Sequence, residues 1–217
     1  MSVTRKQFAE NLKDLHHDLL KMGTLVEETI RKSVTAITTR NSALARQVMQ
    51  DEEEINSFEM EIQDRCIILL ATEQPVAQDL RSIVMAIKVA AQLERIGDHA
   101  VHLAKSALRL ADRRMDEPLT EVPRMAEICI SMFHDILTAL VENSEEKAME
   151  VAGRDDDADM LYTRISKQLL TEMCDDKAAV TRGVELIFVS RYLERIGDHV
   201  TNIAELIVYN RSGRHVE

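Results

Sequence analysis

The sequence predicts an all-α fold of two tandem, pseudo-repeated three-helix bundles, residues 1–114 and 115–217. Three observations carry this expectation. The segment Leu93-Glu-Arg-Ile-Gly-Asp-His99 returns letter for letter as Leu193-Glu-Arg-Ile-Gly-Asp-His199. Apolar residues recur at three- and four-residue steps along nearly the whole chain, the spacing of one helix face. Six glycines and three prolines in 217 residues are too few for a β-rich or loop-rich protein. Apolar residues make up 45% of the chain and aromatics 3%, which predicts helix packing by Leu, Ile, Val, Met and Ala, with the eleven methionines as core filler.

Thr4-x-x-Gln7 is a capping box for the first helix, and Phe8, Leu12, Leu15, Leu19, Met22, Val26, Ile30 and Ile37 carry its buried face. That helix spans roughly 50 Å at 1.5 Å per residue. Asn41 caps the second, with Leu44, Val48, Ile55, Phe58, Ile62, Cys66 and Leu69 facing inward. Gln74-Pro75 ends it, and Pro75 is expected as the first residue of the third. The third helix runs through Leu80, Ile83, Ile87, Ala90, Gly97, Val101 and Leu108 to a basic end at Lys105, Arg109, Arg113 and Arg114. Residues 115–123, with two prolines and three acids, read as a linker.

The pattern then restarts. A fourth helix holds Ile128, Met132, Ile136 and Leu140. A fifth opens at the cap Asn143-x-x-Glu146 and carries Val151, Leu161, Ile165, Leu169 and Met173. Asp175-Asp176 turns into a sixth through Val184, Ile187, Gly197, Ala204 and Val208. Short turns make neighbouring helices antiparallel. A single six-helix bundle is the alternative reading.

The duplicated segment holds two unfavourable choices. Glu94 and Asp98, and again Glu194 and Asp198, stand at i, i+4, where like charges repel by a few tenths of a kcal/mol. A mid-helix glycine, Gly97 and Gly197, costs about 1 kcal/mol relative to alanine. The second and fifth helices carry their own acids, Asp51-Glu-Glu-Glu-Ile-Asn56 and Asp155-Asp-Asp-Ala-Asp159, which align Glu52 with Asp155 and Asn56 with Asp159. Asp155 lies 21 residues before Asp176 and Asp198 lies 22 after it; Glu52 and Asp98 each lie 23 from Pro75. In antiparallel hairpins these acids reach one level. The candidate metal ligands are therefore Glu52, Glu94, Asp98, Asp155, Asp159, Glu194 and Asp198. An all-oxygen set suits divalent or trivalent Mg, Mn or Fe, in clusters of more than one ion, and His99 or His102 would recruit Zn or Fe. Copy two has Asp159, Asn202 and Glu205 where copy one has Asn56, His102 and Lys105, so the C-terminal half is expected to bind metal more tightly. The opposing reading is a pair of solvated acidic edges.

A net charge of −11, with no basic run longer than Arg113-Arg114, argues against nucleic acid and against a polybasic membrane patch. No apolar run approaches the roughly 20 residues of a membrane span, and the N-terminus does not read as a signal peptide. Cys66, Cys129 and Cys174, without a CxxC spacing, read as buried thiols of a reducing cytosol. Phosphate-binding loops, nucleotide-binding glycine fingerprints, nucleophile elbows, zinc-protease motifs and paired Glu-x-x-His motifs are missing. Binding, not turnover, is the chemistry expected.

With both motifs placed, the chain resembles the PhoU family of phosphate-transport accessory proteins. The resemblance covers nearly the whole length. It rests on Met22-Gly-x-Leu-Val-Glu-Glu28, Gln74-Pro-Val-Ala-x-Asp-Leu-Arg81, the two Leu-Glu-Arg-Ile-Gly-Asp-His segments and Asn202-Ile-Ala-Glu205. It implies two PhoU-like bundles and multinuclear metal clusters held by E(D)xxxD motifs, which fall on Glu94/Asp98, Glu194/Asp198 and Asp155/Asp159; Glu52/Asn56 departs at its second position. It also implies a cytoplasmic adaptor, not an enzyme. Such an adaptor represses the phosphate-starvation (Pho regulon) response, standing between the ATPase subunit of a phosphate ABC importer and a sensor histidine kinase. A homodimer is expected. The competing readings are a metal-dependent enzyme or metal buffer using the same carboxylates, and a plain helical scaffold.

Overall fold

A computed structural model describes residues 3–111 and 121–214, with side chains from residue 6 onward. The chain forms α1 (Val3–Thr39), α2 (Ser42–Glu73), α3 (Gln78–Leu110), α4 (Glu121–Glu142), α5 (Glu145–Ala152), α6 (Asp155–Asp175) and α7 (Val180–Ser212), with a single 3-10 turn at Lys177–Ala179. There is no strand among the described residues. α1, α2 and α3 pack on one another, as do α4, α6 and α7, with α5 lying against α4 and α7. The two three-helix groups meet through α3 with α7 and α1 with α4. The side chain of Thr4, on which the expected cap rests, and residues Arg113–Arg114 and 115–120 lie outside what is described.

Most local signals act as expected. The Asn41 side chain accepts from the amides of Ala43 and Leu44, satisfying two of the donors that a helix start leaves open. Asp176 does the same for Ala178. Leu15, Leu19, Met22, Val26, Ile30 and Ile37 are buried along α1, and Phe8 and Leu12 pack at its edge.

Five expectations need correcting. The fifth helix is two: Gly153, whose amide bonds to Met149 and Val151 carbonyls, ends α5, and Asp155, Asp156 and Asp157 open α6. Three acids are favoured in a helix's first turn, where the dipole is positive, and that position outweighs continuation of the apolar stripe. The cap of α5 is Ser144, which accepts from the Lys147 amide at 3.3 Å. Asn143 instead adopts a positive φ of 47°. Pro75 does not start α3; the left-handed Gln74 ends α2, and α3 begins at Gln78. Cys66 and Cys129 are buried but Cys174 is exposed, lying off the Leu161–Ile165–Leu169 stripe of α6. Likewise Met22, Met85, Met125 and Met132 fill the core, whereas Met49, Met60, Met149 and Met160 are exposed.

The seam between the groups is antiparallel, with polar contacts at both ends and near its middle. At one end the buried Asn210 side chain accepts from Ser82 and Gln78 at 3.3 Å and donates to Asn143 at 3.2 Å. At the other, Glu185 accepts from Ser106 at 3.3 Å and from Arg109 at 3.2 Å. On the α1/α4 side, Gly23 lets the helices close: a Cβ there would lie 2.5 Å from Leu137 Cδ2. Replacing Asn210 with alanine leaves the half-buried Asn143 and Ser82 groups short of a partner, while Gln78 keeps its bond to the residue 210 carbonyl. It should lower stability by about 1–3 kcal/mol, read as a fall in denaturation midpoint with an unchanged m-value.

Candidate metal centre

The duplicated segment places each of its side chains for a reason. Leu93, Ile96, Leu193 and Ile196 enter the core. Gly97 and Gly197 are the points at which the preceding helix comes closest. A Cβ on Gly197 would lie 2.8 Å from Asp155 Oδ1 and 4.0 Å from Ala158 Cβ. On Gly97 it would lie 3.1 Å from Ile55 Cδ1. The glycines thus bring α6 against α7, and α2 against α3, with the carboxylates beside the contact.

In the second repeat, Asp159 from α6 and Glu194 and Asp198 from α7 each offer an oxygen within 4.8 Å of the others. Glu194 is buried, Asp198 half-buried and Asp159 exposed, so the group opens to solvent on one side. Asp155 sits deeper. Its Oδ1 is buried over Gly197 with no hydrogen-bond partner, and Glu194 Oε2 is also buried without one. Burial, then the charges of Asp159 and Asp198, push the Asp155 carboxyl up to about 6. Burial followed by Asp198 also raises Glu194 and Asp159; Arg191 opposes both shifts, and Arg195 that of Glu194. Arg191 pairs with Glu194, and Arg195 reaches Asp198 at 3.3 Å. Two orphaned buried oxygens in a set of mutually repelling carboxylates fit a hard cation, which accepts only oxygen donors of this kind.

The first repeat is built differently. Burial, then Asp98, raises the Glu94 carboxyl, with Glu59 and Glu52 adding to it and Arg95 opposing. Arg95 lies 3.4 Å from Glu94 and 3.5 Å from Asp98. Glu59 was not among the residues singled out from the sequence. It continues the Glu52–Asn56 stripe at i+7, so extending that stripe by one turn finds it. Its counterpart in the second repeat is Tyr162, which carries Arg191 over its ring at 5.5 Å. Ile55 fills the space over Gly97, where the smaller Ala158 leaves room for the Asp155 carboxylate.

The histidines do not join either group. His99 and His199 stack across the α3/α7 seam with ring centroids 5.3 Å apart, and Tyr192 stacks on His99 and His102 at 6.1 and 4.9 Å. His199 Nδ1 lies 2.8 Å from Gln92 Oε1. Burial, then the neighbouring His199 and His102, lowers His99 to about 4. The imidazole is neutral at physiological pH and serves the seam. Among the described residues, no histidine nitrogen joins the converging oxygens of Asp159, Glu194 and Asp198.

Comparison with known proteins bears on the whole chain. The PhoU domain matches twice, over residues 19–107 and 122–207. A phosphate-specific transport system accessory protein PhoU homolog of Clostridium acetobutylicum is 39% identical over 216 residues, covering 99% of each chain. The chain belongs to the PhoU family. A PhoU homolog of Rhizobium meliloti is 36% identical, over 95% of this chain and 87% of the relative. The crystal structure of PhoU from Pseudomonas aeruginosa superposes with a TM-score of 0.93 at 36% identity, over 95% of this chain and all of that one. The PhoU of Streptococcus pneumoniae, described as a phosphate transport system regulatory protein, superposes at 0.91 with 30% identity, over 97% and 99%. Two PhoU matches, each on one three-helix group, agree with the duplicated architecture.

In this PhoU-family chain the raised Asp155 carboxyl makes a signed prediction. Its native value of about 6 exceeds the ordinary 3.8, so the native state binds the extra proton between those values. The stability that protonation supplies is full below pH 3.8 and lost as pH rises through about 6. In chelator-treated protein, Asp155→Asn should remove that part of the decline and raise the denaturation midpoint at pH 7. A parallel pH profile for both proteins would show the carboxyl to be ordinary.

Proposed function

We propose that this chain is an accessory regulator of a phosphate-specific transport system, acting as an adaptor in the cytoplasm. It would link a phosphate ABC importer, through the ATPase subunit, to a sensor histidine kinase and repress the starvation response while phosphate is plentiful. The observation that carries this reading is the match to phosphate-specific transport accessory proteins over the full length of both chains. The convergence of Asp159, Glu194 and Asp198 supports binding of a cation in preference to turnover. No helix among the described residues is long and apolar enough to cross a membrane, consistent with action through contacts with membrane proteins.

The adaptor reading includes metal at both acidic groups, of the Mg, Mn, Fe or Zn kind. Asp155, Asp159, Glu194 and Asp198 would hold it in the second repeat, and Glu52, Glu59, Glu94 and Asp98 in the first. A bound cation supplies the positive charge that offsets carboxylate repulsion and ties α6 to α7. The second repeat is the tighter site, since Asp155 there reaches over Gly197 while Ile55 blocks the equivalent approach.

The raised Asp155 carboxyl is the one feature that favours an enzyme or metal buffer, since it can exchange a proton near neutral pH. Phosphate-ester or polyphosphate hydrolysis lost in Asp98 and Asp198 variants would establish that reading instead.

Two measurements test the proposal. Asp198→Ala should lower bound metal per chain by elemental analysis, and chelator titration should empty the first repeat before the second. Unchanged metal content sinks the assignment. Affinity purification from phosphate-replete cells should recover an importer ATPase or a sensor kinase, and Glu194→Ala with Asp198→Ala should lose it. Light scattering on the same preparation decides the expected homodimer. Recovery of neither partner by folded, metal-loaded protein overturns the adaptor role.

A further inference from the structure

The two repeats differ most on their outer flanks. Ile55 and Ala158 stand over equivalent glycines, and this fixes the correspondence between α2 and α6. The buried faces then agree: Ile62 matches Ile165 and Cys66 matches Leu169, all in the core. The exposed faces do not. Glu61 and Asp64 correspond to Arg164 and Lys167, a reversal of charge at two positions. Met60, Ile67 and Ile68 correspond to Thr163, Leu170 and Thr171.

On the first repeat these residues border a groove between α1 and α2 of about 310 Å³, lined by Asp18, Phe58, Glu61, Asp64, Arg65 and Ile68. Phe58 and Ile62 lie in its apolar lining with Ile68, which is 61% exposed; Met60 and Ile67, 59% and 57% exposed, stand on the outer face of α2 beside it. Phe58, Ile62, Arg65 and Ile68 step by four, three and three, one helix face. Asp18 is already neutralised by Arg65 and by Lys21 at 3.6 Å. Among the described residues Glu61 and Asp64 have no cationic partner, whereas on the other flank Arg164 is met by Glu121 at 3.7 Å. An apolar strip edged by unpaired carboxylates matches an amphipathic helix with apolar anchors and flanking Lys or Arg.

We propose that the α1/α2 groove of the first repeat is a docking site for a cationic amphipathic helix of a partner protein, and that the second repeat, with the charges reversed, rejects the same helix. The two-fold fold thereby presents two non-equivalent flanks, so one chain discriminates between partners. This deepens the adaptor reading and rests on it for the partner being protein.

The probe is a synthetic helical peptide of roughly 18 residues, Leu on one stripe and Lys on its borders. Its binding to the full chain is followed by fluorescence anisotropy, with a scrambled peptide of identical composition beside it. Glu61→Lys with Asp64→Lys, and separately Ile68→Ser, should each weaken binding about tenfold or more. Glu145→Lys with Glu146→Lys on exposed α5 makes the same change in net charge and should leave the groove's affinity within about twofold. Arg164→Glu with Lys167→Asp should create no second site, because Thr171 stands where Ile68 supplies the exposed anchor of the groove. Equal weakening by the α5 pair, or equal binding of the scrambled peptide, reduces the effect to overall negative charge and overturns the proposal. Since the assay contains no importer, kinase or added metal, its outcome is independent of the affinity purification. Circular dichroism of each variant separates lost binding from lost fold.

Discussion

Both bundles hang from the antiparallel contact of α3 with α7. Each of these helices carries one copy of the duplicated segment, and each also closes a hairpin with the acidic helix before it. One side of α3 therefore faces the seam and another faces α2, with the two roles divided along the segment. His99 and His199 meet in the seam, while Glu94, Asp98, Glu194 and Asp198 look away from it toward the acidic helices. The polar ends at Asn210 and Glu185 set the register, since a slip of one turn would strand buried hydrogen-bonding groups. Carboxylate placement on both repeats follows from that register.

Much of this was legible in the letters because it depends on spacing. The i, i+4 acids, the mid-helix glycines and the residue counts from Pro75 and Asp176 placed four carboxylates of the second repeat at one level, and three of them converge. What escaped depends on volume and direction. Whether a glycine admits a carboxylate or a methyl group rests on Ile55 against Ala158, a difference invisible until the helices are docked. The histidines share a helix with the acids, and only the neighbouring helix decides that they face Tyr192 and Gln92. Glu59 was readable from its stripe, but the acid run before it drew attention to Glu52. The break at Gly153 was masked by an apolar pattern that continues in step across it.

The repeats have kept one backbone and diverged in side chains at three depths. In the core, matching positions remain apolar. At the middle depth, the second repeat trades bulk for a carboxylate at Ala158 and Asp155. At the surface, Glu61 and Asp64 stand opposite Arg164 and Lys167 in the pseudo-symmetric scheme. Constraint relaxes outward, as packing density requires of any duplicated fold.

The polarity of the seam also matters during synthesis. A chain made from its N-terminus completes α1, α2 and α3 while the second repeat is still unmade. The finished half must then wait with the α7-facing side of α3 in water. That side carries Gln92, His99 and Ser106 between the apolar Ile96 and Leu103, and these polar groups hydrate readily and make the face less attractive to another nascent chain. A seam built of leucines would hold the halves together more firmly, and would leave every half-made molecule adhesive on the ribosome.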